Sequence, residues 1–355
     1  MFRNNIQALQ KFKRNYWGVC SLFYIILLFV ISIFAYILAP DNSQNANNGD
    51  ISLRALDPGT TITMIQIENS KTSSLAEYFT GKKHTDTYIP ILSHRISNDS
   101  LFYYTYTTDS KLSQEIYLNF DSYSSQNYKI IEKKFWLGTD NQGRDYLSRL
   151  LIGSRISLTI GFVAVALSLV VGVTLGAIAG YFGGKIDTFI LWIINIVWSI
   201  PTLLLVIAIT LAIGKGFWQV FIAVGLTMWV EVARVVRGQV MSVKQMQYIT
   251  AARALGYSDW RIITKHVLPN AIAPVIVISA ANFASAILVE SGLSFLGLGA
   301  QVPVPSWGGM IKEHYNYILL GKPYLAILPG IAMCSLVVAF MMIGNALRDA
   351  LDVKN

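Results

Sequence analysis

Long runs without charged residues constrain the fold of this chain more than any other feature. No Lys, Arg, Asp or Glu occurs in residues 15–40, 156–184, 188–214, 267–289 and 323–347. About 20 apolar residues cross the hydrocarbon core of a bilayer as a helix, so each run is long enough to span a membrane. The charged fraction, 14%, is also low against about 25% for soluble domains. The sequence therefore predicts a polytopic membrane protein.

A sixth span is predicted from a shorter run, residues 216–230, which ends at Glu231 and Arg234. We place Glu231 near the end of this helix, where a carboxylate costs less than at the bilayer centre. The two side chains are spaced i to i+3 and could form an ion pair. The first run, 15–40, is too long for the core of a signal peptide and lacks a cleavage pattern, so we expect it to remain as the first helix.

The distribution of basic residues predicts the orientation. With six spans and the N-terminus inside, the inner segments hold Arg3, Lys11, Lys13, Arg14, Lys185, Arg234, Arg237, Lys244, Arg253, Arg261, Lys265, Arg348 and Lys354. The short outer loops hold only Lys215, Lys312 and Lys322. The long segment 41–155 does not count toward this rule. We therefore predict a multi-pass protein with both termini cytoplasmic, and the net charge of +8 reflects topology rather than binding of nucleic acid.

The chain divides into three predicted parts. Residues 1–40 form a cytoplasmic tail and the first transmembrane helix, and the tail is either a surface amphipathic helix or a frayed basic segment. Residues 41–135 form a small β-rich extracytoplasmic insertion, and 136–355 form the helical core, with an interfacial helix, spans two to six and the polar segment 234–270. Strands are predicted at Thr60–Ile67, Leu101–Thr107 and Glu115–Phe120, which are rich in β-branched and aromatic residues. The fold class is all-α polytopic, with six transmembrane helices plus this insertion.

Two features precede and open the second span. From Asp145 onward, leucines alternate with Arg149 and Arg155 at helical spacing, which predicts an amphipathic helix at the outer interface before a span over 156–179. Gly172, Gly176 and Gly180 follow at intervals of four. Because residues four apart share one helix face, these glycines predict a ridge for close helix packing.

Five residues in or beside the later spans are candidates for pore lining or helix packing: Asn195, Ser199, Pro201, Asn282 and Glu290. Pro201 should kink the third span, and the freed carbonyl near Val197 can be met by Ser199 or by a neighbouring helix. Packing is the more common role for an asparagine such as Asn195.

The most structured polar stretch is Tyr248–Asn270 (YITAARALGYSDWRIITKHVLPN). A helix over Tyr248–Leu255 is expected to end at Gly256 in a left-handed conformation. Ser258 is expected to cap a second helix from Asp259 to about Val267, which should stop before Pro269. The charge distribution places this hairpin, within a polar segment 234–270, on the inner side. An ordinary loop between two spans is the alternative.

The motifs of catalysis and nucleotide binding do not occur in the sequence. No GxxxxGK[ST] phosphate loop and no HExxH zinc motif is present. We assign no catalytic, metal or cofactor-binding residues and predict that the chain is not an enzyme. The spans also lack the central acids typical of proton-driven carriers. A protein that moves a solute without its own energy source needs a partner.

Three passages resemble the C-type permease subunits of binding-protein-dependent ABC importers, in the peptide and nickel branch. They are Leu137–Leu158 (LGTDNQGRDYLSRLLIGSRISL), Ser294–Met310 (SFLGLGAQVPVPSWGGM) and Ala251–Pro269. The last is similar to the cytoplasmic EAA loop of such permeases, Glu-Ala-Ala-x3-Gly-x9-Ile-x-Leu-Pro. The resemblance covers residues 135–355 continuously and 1–40 loosely.

In that family the loop docks into a cleft of the ATPase subunit and transmits its closure to the membrane helices. Ala251, Ala252, Gly256, Leu268 and Pro269 agree with the motif. Thr250 stands in place of its glutamate, and His266 in place of its isoleucine. We interpret His266 as a packing variant. The apolar docking face is expected to comprise Ala251, Ala252, Ala254 and Leu255.

The resemblance implies a permease subunit for di- and oligopeptides in the inner membrane. Its expected partners are a B-type permease, two ATP-binding subunits that hold ATP and magnesium, an extracytoplasmic solute-binding protein and membrane lipid. Import of nickel or another small solute by the same machinery is the alternative. An ion-coupled secondary carrier and an intramembrane enzyme remain as hypotheses from other classes.

Overall fold

The computed structural model describes residues 2–68, 76–83, 86–97, 100–107, 115–119, 128–214 and 216–351. The helices are α1 Phe2–Arg14, α2 Tyr16–Ile33, α3 Ala35–Leu38, α4 Glu77–Thr80, α5 Tyr146–Phe182, α6 Gly184–Ser199, α7 Thr202–Ile213, α8 Phe217–Lys244, α9 Gln247–Ala254, α10 Asp259–Ile262, α11 Leu268–Phe295, α12 Trp307–His314 and α13 Tyr324–Leu351. The strands are β1 Thr60–Ile67, β2 Thr87–Ser97, β3 Ser100–Thr105, β4 Glu115–Asn119 and β5 Tyr128–Phe135.

The predicted fold class is confirmed. Five helices are long and apolar enough to cross a membrane, and they begin at Tyr16, Tyr146, Trp218, Asp259 and Tyr324. The pair α6 and α7 passes the same criteria together, although it is bent by 95°. The tail is helical from Phe2 to Arg14. Two compact units contain these elements: residues 1–28, 157–301 and 331–355 form the helical unit, and residues 29–156 and 302–330 form the sheet unit.

The glycine ridge of α5 packs directly against α8 in the helical unit, as predicted. A Cβ atom added to Gly172 would lie 2.6 Å from Val232 Cβ, and one added to Gly176 would lie 2.5 Å from Ala233 O. A Cβ added to Gly180 would lie 2.7 Å from Arg237 O, which also belongs to α8. Because no real side chain tolerates such distances, glycine is what allows the two backbones to approach.

The break between α6 and α7 is sharper than the predicted kink. Pro201 has no N–H to donate, and Val197 O instead accepts from Ile200 N at 3.3 Å. The predicted role of Ser199 is wrong in detail, since its hydroxyl donates to Ile196 O at 2.7 Å. The 95° bend separates two short helices, a geometry found at membrane depth only where backbone is buried in protein or lines a cavity.

α8 is longer than the predicted fourth span, and this changes the position of its charges. The helix runs to Lys244, so Glu231 lies near its middle rather than near its end. The predicted ion pair between Glu231 and Arg234 is wrong. Arg234 donates to Asn195 Oδ1 at 2.8 Å, and its guanidinium lies 3.5 Å from the centroid of the Trp198 ring. One turn further, Arg237 forms a bidentate ion pair with the carboxylate of Asp187, at 2.5 and 2.6 Å.

The sheet unit contains one five-stranded antiparallel sheet in the order β4-β3-β2-β1-β5. β1 has the predicted bounds, β3 ends at Thr105 and the described part of β4 ends at Asn119, while Phe120 lies outside the described residues. Apolar residues pack in two clusters, Ile65, Ile91, Leu101 and Tyr103 in one and Leu53, Ile62, Met64 and Phe135 in the other. Sequence reasoning missed β2, which contains Pro90, and β5, which carries three lysines.

The separate amphipathic helix predicted from Asp145 does not exist. α5 runs from Tyr146 to Phe182 without a break. Arg149, expected on a polar outer face, is buried because the carboxylate of Asp140 compensates its charge at 3.3 Å. The helical spacing predicted a polar, lipid-interface face at Arg149, whereas Arg149 lies inside the protein and is paired with Asp140.

Candidate coupling site and polar groups of the helical unit

The first half of the hairpin ends as predicted at a left-handed glycine. Gly256 has φ +76°, and its N–H donates to Arg253 O at 2.9 Å. The N–H of Tyr257 donates to Ala252 O at 3.2 Å. These two bonds form a Schellman motif, which satisfies the last carbonyl groups of α9. The turn between α9 and α10 is therefore fixed by backbone hydrogen bonds.

The second half of the hairpin does not stop before Pro269. α10 passes into a π-helical turn, Ile263–Val267, and then into α11, so the helix is continuous from Asp259 to Phe295. Leu268 N donates to Ile263 O, five residues back. Pro269 is the second residue of α11 and follows the π turn directly, within the continuous helix. Ser258 occupies the N-cap position, but its side chain makes no capping bond.

One face of the hairpin packs into the helical unit. The buried residues of the hairpin are Ile249, Ala252, Ile262, Ile263 and Val267, in one apolar cluster with Val236, Val240 and Val243 of α8. Leu268 packs at the edge of the same cluster. The predicted docking face was therefore wrong at Ala252, which is 5% exposed and belongs to the core of this chain.

The opposite face of the hairpin is exposed and apolar. Leu255 is 72% exposed and Trp260 is 61% exposed, with Met246 and Tyr248 also largely uncovered. Thr250 and Ala251 lie exposed among them. A group of large apolar side chains on a polar hairpin indicates a surface that another protein covers.

Tyr181, at the end of α5, fixes the hairpin, and sequence reasoning missed it. Its hydroxyl donates to Asp259 Oδ1 at 2.6 Å, and Arg253 lies 5.2 Å from the centroid of its ring. Lys244 donates to its backbone carbonyl. His266 stacks on Tyr257, with ring centroids 5.8 Å apart. The tyrosine contacts tie both helices of the hairpin to α5, and no local pattern in the sequence signals partners this distant.

The five candidates in the spans fall into two groups. Asn195, Ser199 and Pro201 are exposed in this chain, around the break between α6 and α7. Asn282 and Glu290 are buried on α11, and Glu290 accepts a hydrogen bond from Ser294 at 2.6 Å. The two groups thus differ in burial, the first exposed and the second enclosed within this chain.

A buried charge cluster in the sheet unit links the passage Leu137–Leu158 to Glu313 of α12. Arg144 Nε donates to Asp140 Oδ2 at 2.6 Å, and Arg144 Nη2 donates to Glu313 Oε2 at 3.2 Å. Arg149 pairs with the same two acids. Glu313 lies outside the three passages that carry the resemblance. Neighbouring Trp307 donates to Leu150 O at 3.0 Å.

The cluster also has the distances of a metal site, because ligand atoms of Asp140, Glu313 and His314 lie within 4.8 Å of one another. Both oxygens of Asp140 already accept hydrogen bonds from protein N–H groups, however. His314 Nδ1 lies 2.7 Å from Met310 O. Two arginines supply the positive charge that a cation would bring, so the residues fit an ion-pair network and do not fit a metal.

Burial shifts the pKa values of two groups beside the cluster. It lowers the pKa of His314, against the raising effect of the Met310 carbonyl and the two acids, so the imidazole is neutral. Burial raises the pKa of Asp145, against the lowering effect of its hydrogen bonds from Ser148. Both pKa shifts indicate that water is largely excluded around the start of α5 and the end of α12.

The helical unit thus combines helices able to cross a membrane with a polar hairpin whose exposed face is apolar. A family model described as the inner membrane component of binding-protein-dependent transport systems matches residues 172–354. A second, described as the N-terminal transmembrane domain of oligopeptide transport permease C, matches residues 6–57. The chain belongs to this family of inner-membrane transport components.

Curated relatives of this chain are also transport permeases. The glutathione transport permease GsiD of Pectobacterium atrosepticum is 41% identical over 219 residues, which cover 62% of this chain and 72% of the relative. The dipeptide transport permease DppC of Alkalihalophilus pseudofirmus is 43% identical with the same coverages. The oligopeptide transport permease OppC of Bacillus subtilis is 39% identical over 222 residues, with coverages of 62% and 72%.

Among solved structures, an inward-facing MetNI methionine ABC transporter is similar at 20% identity and a TM-score of 0.45, covering 56% of this chain and 96% of that chain. Family membership makes this chain a multi-pass inner-membrane permease of an ABC importer. ATP is hydrolysed by a separate subunit, and the importer also includes a binding protein.

Proposed function

We propose that this chain is the C-type permease of an importer for di- and oligopeptides, delivered by an extracytoplasmic binding protein. The observation that carries the proposal is the set of relatives at about 40% identity, which are permeases for dipeptides, oligopeptides and glutathione. These named substrates are all peptides. The substrate class of the relatives is therefore the best guide to the substrate of this chain.

The complete transporter in this proposal contains a B-type permease and two ATPase subunits, which hold ATP and magnesium. The pore forms between the two permeases. Both termini and the hairpin are cytoplasmic, and the insertion 41–135 lies outside, as the distribution of Lys and Arg indicates. Residues 1–40 and 136–355 supply the spans that contact lipid and the second permease.

The hairpin is the coupling element in this proposal. Its exposed face, with Leu255 and Trp260, docks on an ATPase subunit, and its buried face is packed on α8. Gly256 sets the angle between α9 and α10, and Leu268 and Pro269 pass the movement into α11. Thr250, at the position of the family's glutamate, is exposed on the docking side.

The test is reconstitution of the complete transporter in proteoliposomes. Uptake of labelled dipeptides and longer peptides is measured with ATP and loaded binding protein, in parallel with uptake of nickel. ATP-dependent peptide uptake is the expected result. Nickel uptake without peptide uptake would replace the proposed substrate, and uptake without an ATPase subunit would point to a secondary carrier.

A further inference from the structure

Glu231 is a carboxylate near the middle of a membrane-spanning helix. Among the described residues it forms no ion pair and no side-chain hydrogen bond. Arg234, one turn away, is held instead by Asn195 and by the ring of Trp198. Since an unpaired charge is costly in lipid, an intramembrane acid faces water, a ligand or a partner.

Glu231 is exposed on α8 and lines an open cavity of about 190 Å³ within the helical unit. Three hydroxyl residues line it, Thr202, Thr227 and Ser285. The hydroxyl of Thr227 donates to Val224 O at 2.8 Å, which leaves its own lone pairs free to accept a hydrogen bond. The remaining lining is apolar and includes Trp198, Leu205 and Met228. The cavity is thus an apolar site with a few polar acceptors and one negative charge.

The broken helix borders this cavity. Its lining includes Trp198 and Ile200, at the end of α6, where the 95° bend interrupts the helical ladder. The last carbonyl groups of a helix have no intrahelical donors and carry the negative end of the dipole. Val197 O and Ile196 O already accept hydrogen bonds from Ile200 and Ser199, so Glu231 and the hydroxyl groups are the features that favour a cation able to donate several hydrogen bonds.

We propose that Glu231 and the hydroxyls of this cavity receive the α-ammonium group of the peptide during its passage. This inference deepens the proposed function and depends on it. An ammonium group offers three donors and one positive charge, which match a carboxylate with hydroxyl acceptors. The cavity, of about 190 Å³, is open because Trp198, Thr202 and Ser285 are exposed, so it admits this end of a peptide while the rest of the peptide lies outside. It thus recognises the group that unblocked peptides share, whatever their length.

The experiment compares an unblocked peptide with its N-acetylated form in proteoliposomes that contain the complete transporter. Each peptide is preloaded to saturation on the binding protein, so that differences arise after delivery. The wild type is expected to import the unblocked peptide faster. Glu231→Gln is expected to lower import of the unblocked peptide about ten-fold. It should leave import of the N-acetylated peptide unchanged and thereby remove the selectivity.

Two control variants accompany this change. Glu231→Asp keeps the carboxylate and should retain the selectivity. Glu132→Gln makes the same chemical change on an exposed strand residue and should match the wild type.

Equal slowing of both peptides by Glu231→Gln would overturn the inference, because it would assign Glu231 to pairing with a cation of the second permease. A wild type that imports neither peptide would overturn the proposed function itself, a result distinct from lost selectivity.

If Glu231→Gln fails to assemble, thiol labelling provides a second test. In Glu231→Cys with Cys20 and Cys334 replaced by Ser, a water-soluble cationic thiol reagent should label position 231. The unblocked peptide should protect it, and the N-acetylated peptide should not. An unreactive thiol, or equal protection by both peptides, would contradict the proposal.

Discussion

Asp140 shows how a single residue can hold a buried charge cluster together. Its carboxylate is fully buried and compensates two arginines, Arg144 and Arg149. It also accepts backbone N–H bonds from Gln142 and Arg144, at 2.8 and 2.9 Å. Since a buried charge is tolerated only when it is paired and hydrogen-bonded, removing Asp140 leaves two guanidinium groups with one half-buried acid.

Asp140→Ala is therefore expected to destabilise the protein by about 3–5 kcal/mol, the usual cost of breaking a buried ion pair from one side. The matched control is Asp57→Ala, which removes a 73% exposed aspartate paired with Lys322 at 3.0 Å. That change should cost about 0–1 kcal/mol. Thermal unfolding of both variants in detergent measures the difference, and similar unfolding temperatures would contradict this account of the cluster.

His314 predicts how stability depends on pH. Burial lowers its pKa in the folded state, so the unfolded chain binds the proton more readily, with an ordinary pKa of about 6.5. Stability is full above this value and is lost as pH falls below it. The groups around the ring are Asp140, Glu313 and Arg149. Asp145, whose pKa is raised, acts in the opposite direction.

The unfolding temperature in detergent should therefore fall between pH 7.5 and 5.5, by a few degrees for each kcal/mol lost. His314→Gln keeps a polar side chain and removes the titration, so its unfolding temperature should change less over the same range. An equal fall in both proteins would assign the pH dependence to other groups.

The conformation or partner of a single residue could be predicted only where neighbouring residues in the sequence determine it. Gly256 was predicted correctly because a glycine after a good helix former has a local reason to be left-handed. The pairing of Arg144 with Glu313, and that of Tyr181 with Asp259, join residues far apart in the sequence. Arg149 was misplaced because spacing alone does not reveal that an acid neutralises it.

Among the elements, α5 and α8 show that small residues set the distance between helices. The glycines of α5 lie against backbone atoms of α8 at positions where a Cβ would meet them at 2.5–2.7 Å. Backbone atoms cannot move aside as the end of a flexible side chain can. The packing of α5 on α8 therefore depends on the absence of side chains from one face.

Gly176→Ala should separate these two helices, because its Cβ would lie 2.5 Å from Ala233 O. The expected loss is about 1–3 kcal/mol, the usual cost of overpacking a core. Gly238→Ala provides the control on α8, since a Cβ there meets no atom within 4 Å. It should be neutral or stabilising by up to about 1 kcal/mol through helix propensity. Unfolding in detergent compares the two, and equal stability would contradict the close packing.

The element predictions failed where a local rule met a tertiary or backbone alternative. Pro269 was expected to end the helix that precedes it. Instead, the π turn Ile263–Val267 continues the helix up to the proline, with Leu268 N donating to Ile263 O. β2 and β5 were missed because a proline and three lysines interrupt their apolar pattern, although strand pairing with β1 holds both. β1 was predicted with correct bounds, since its run of threonine and isoleucine is a local signal.

At the scale of the whole molecule, the hairpin is where the chain would receive force from its ATPase. Gly256→Pro replaces a residue at φ +76° with one fixed near −65°, and it should break the turn. We expect at least a ten-fold loss of peptide uptake with ATP hydrolysis no longer coupled to it, while the subunit stays in the membrane. Leu268→Ala with Pro269→Ala should act in the same direction.

Thr250→Glu is the matched control for that prediction, because it restores the family residue on an exposed surface without touching the turn. It should be tolerated. Uptake and ATP hydrolysis in reconstituted transporters measure both variants. Normal uptake in Gly256→Pro would contradict the coupling role, and failed assembly of Thr250→Glu would mean that the partner surface has changed around this residue.

α10, the π turn and α11 form one continuous helix of 37 residues, from Asp259 to Phe295. At 1.5 Å per residue it is about 55 Å long. A tilt of about 5° at the end that begins with Asp259 would displace the other end by about 5 Å, the length of one helical turn. In the proposed coupling, a rotation of the hairpin would therefore reach the far end of α11 through one continuous helix, and the π turn Ile263–Val267 and Pro274 are the two places where that helix could bend instead.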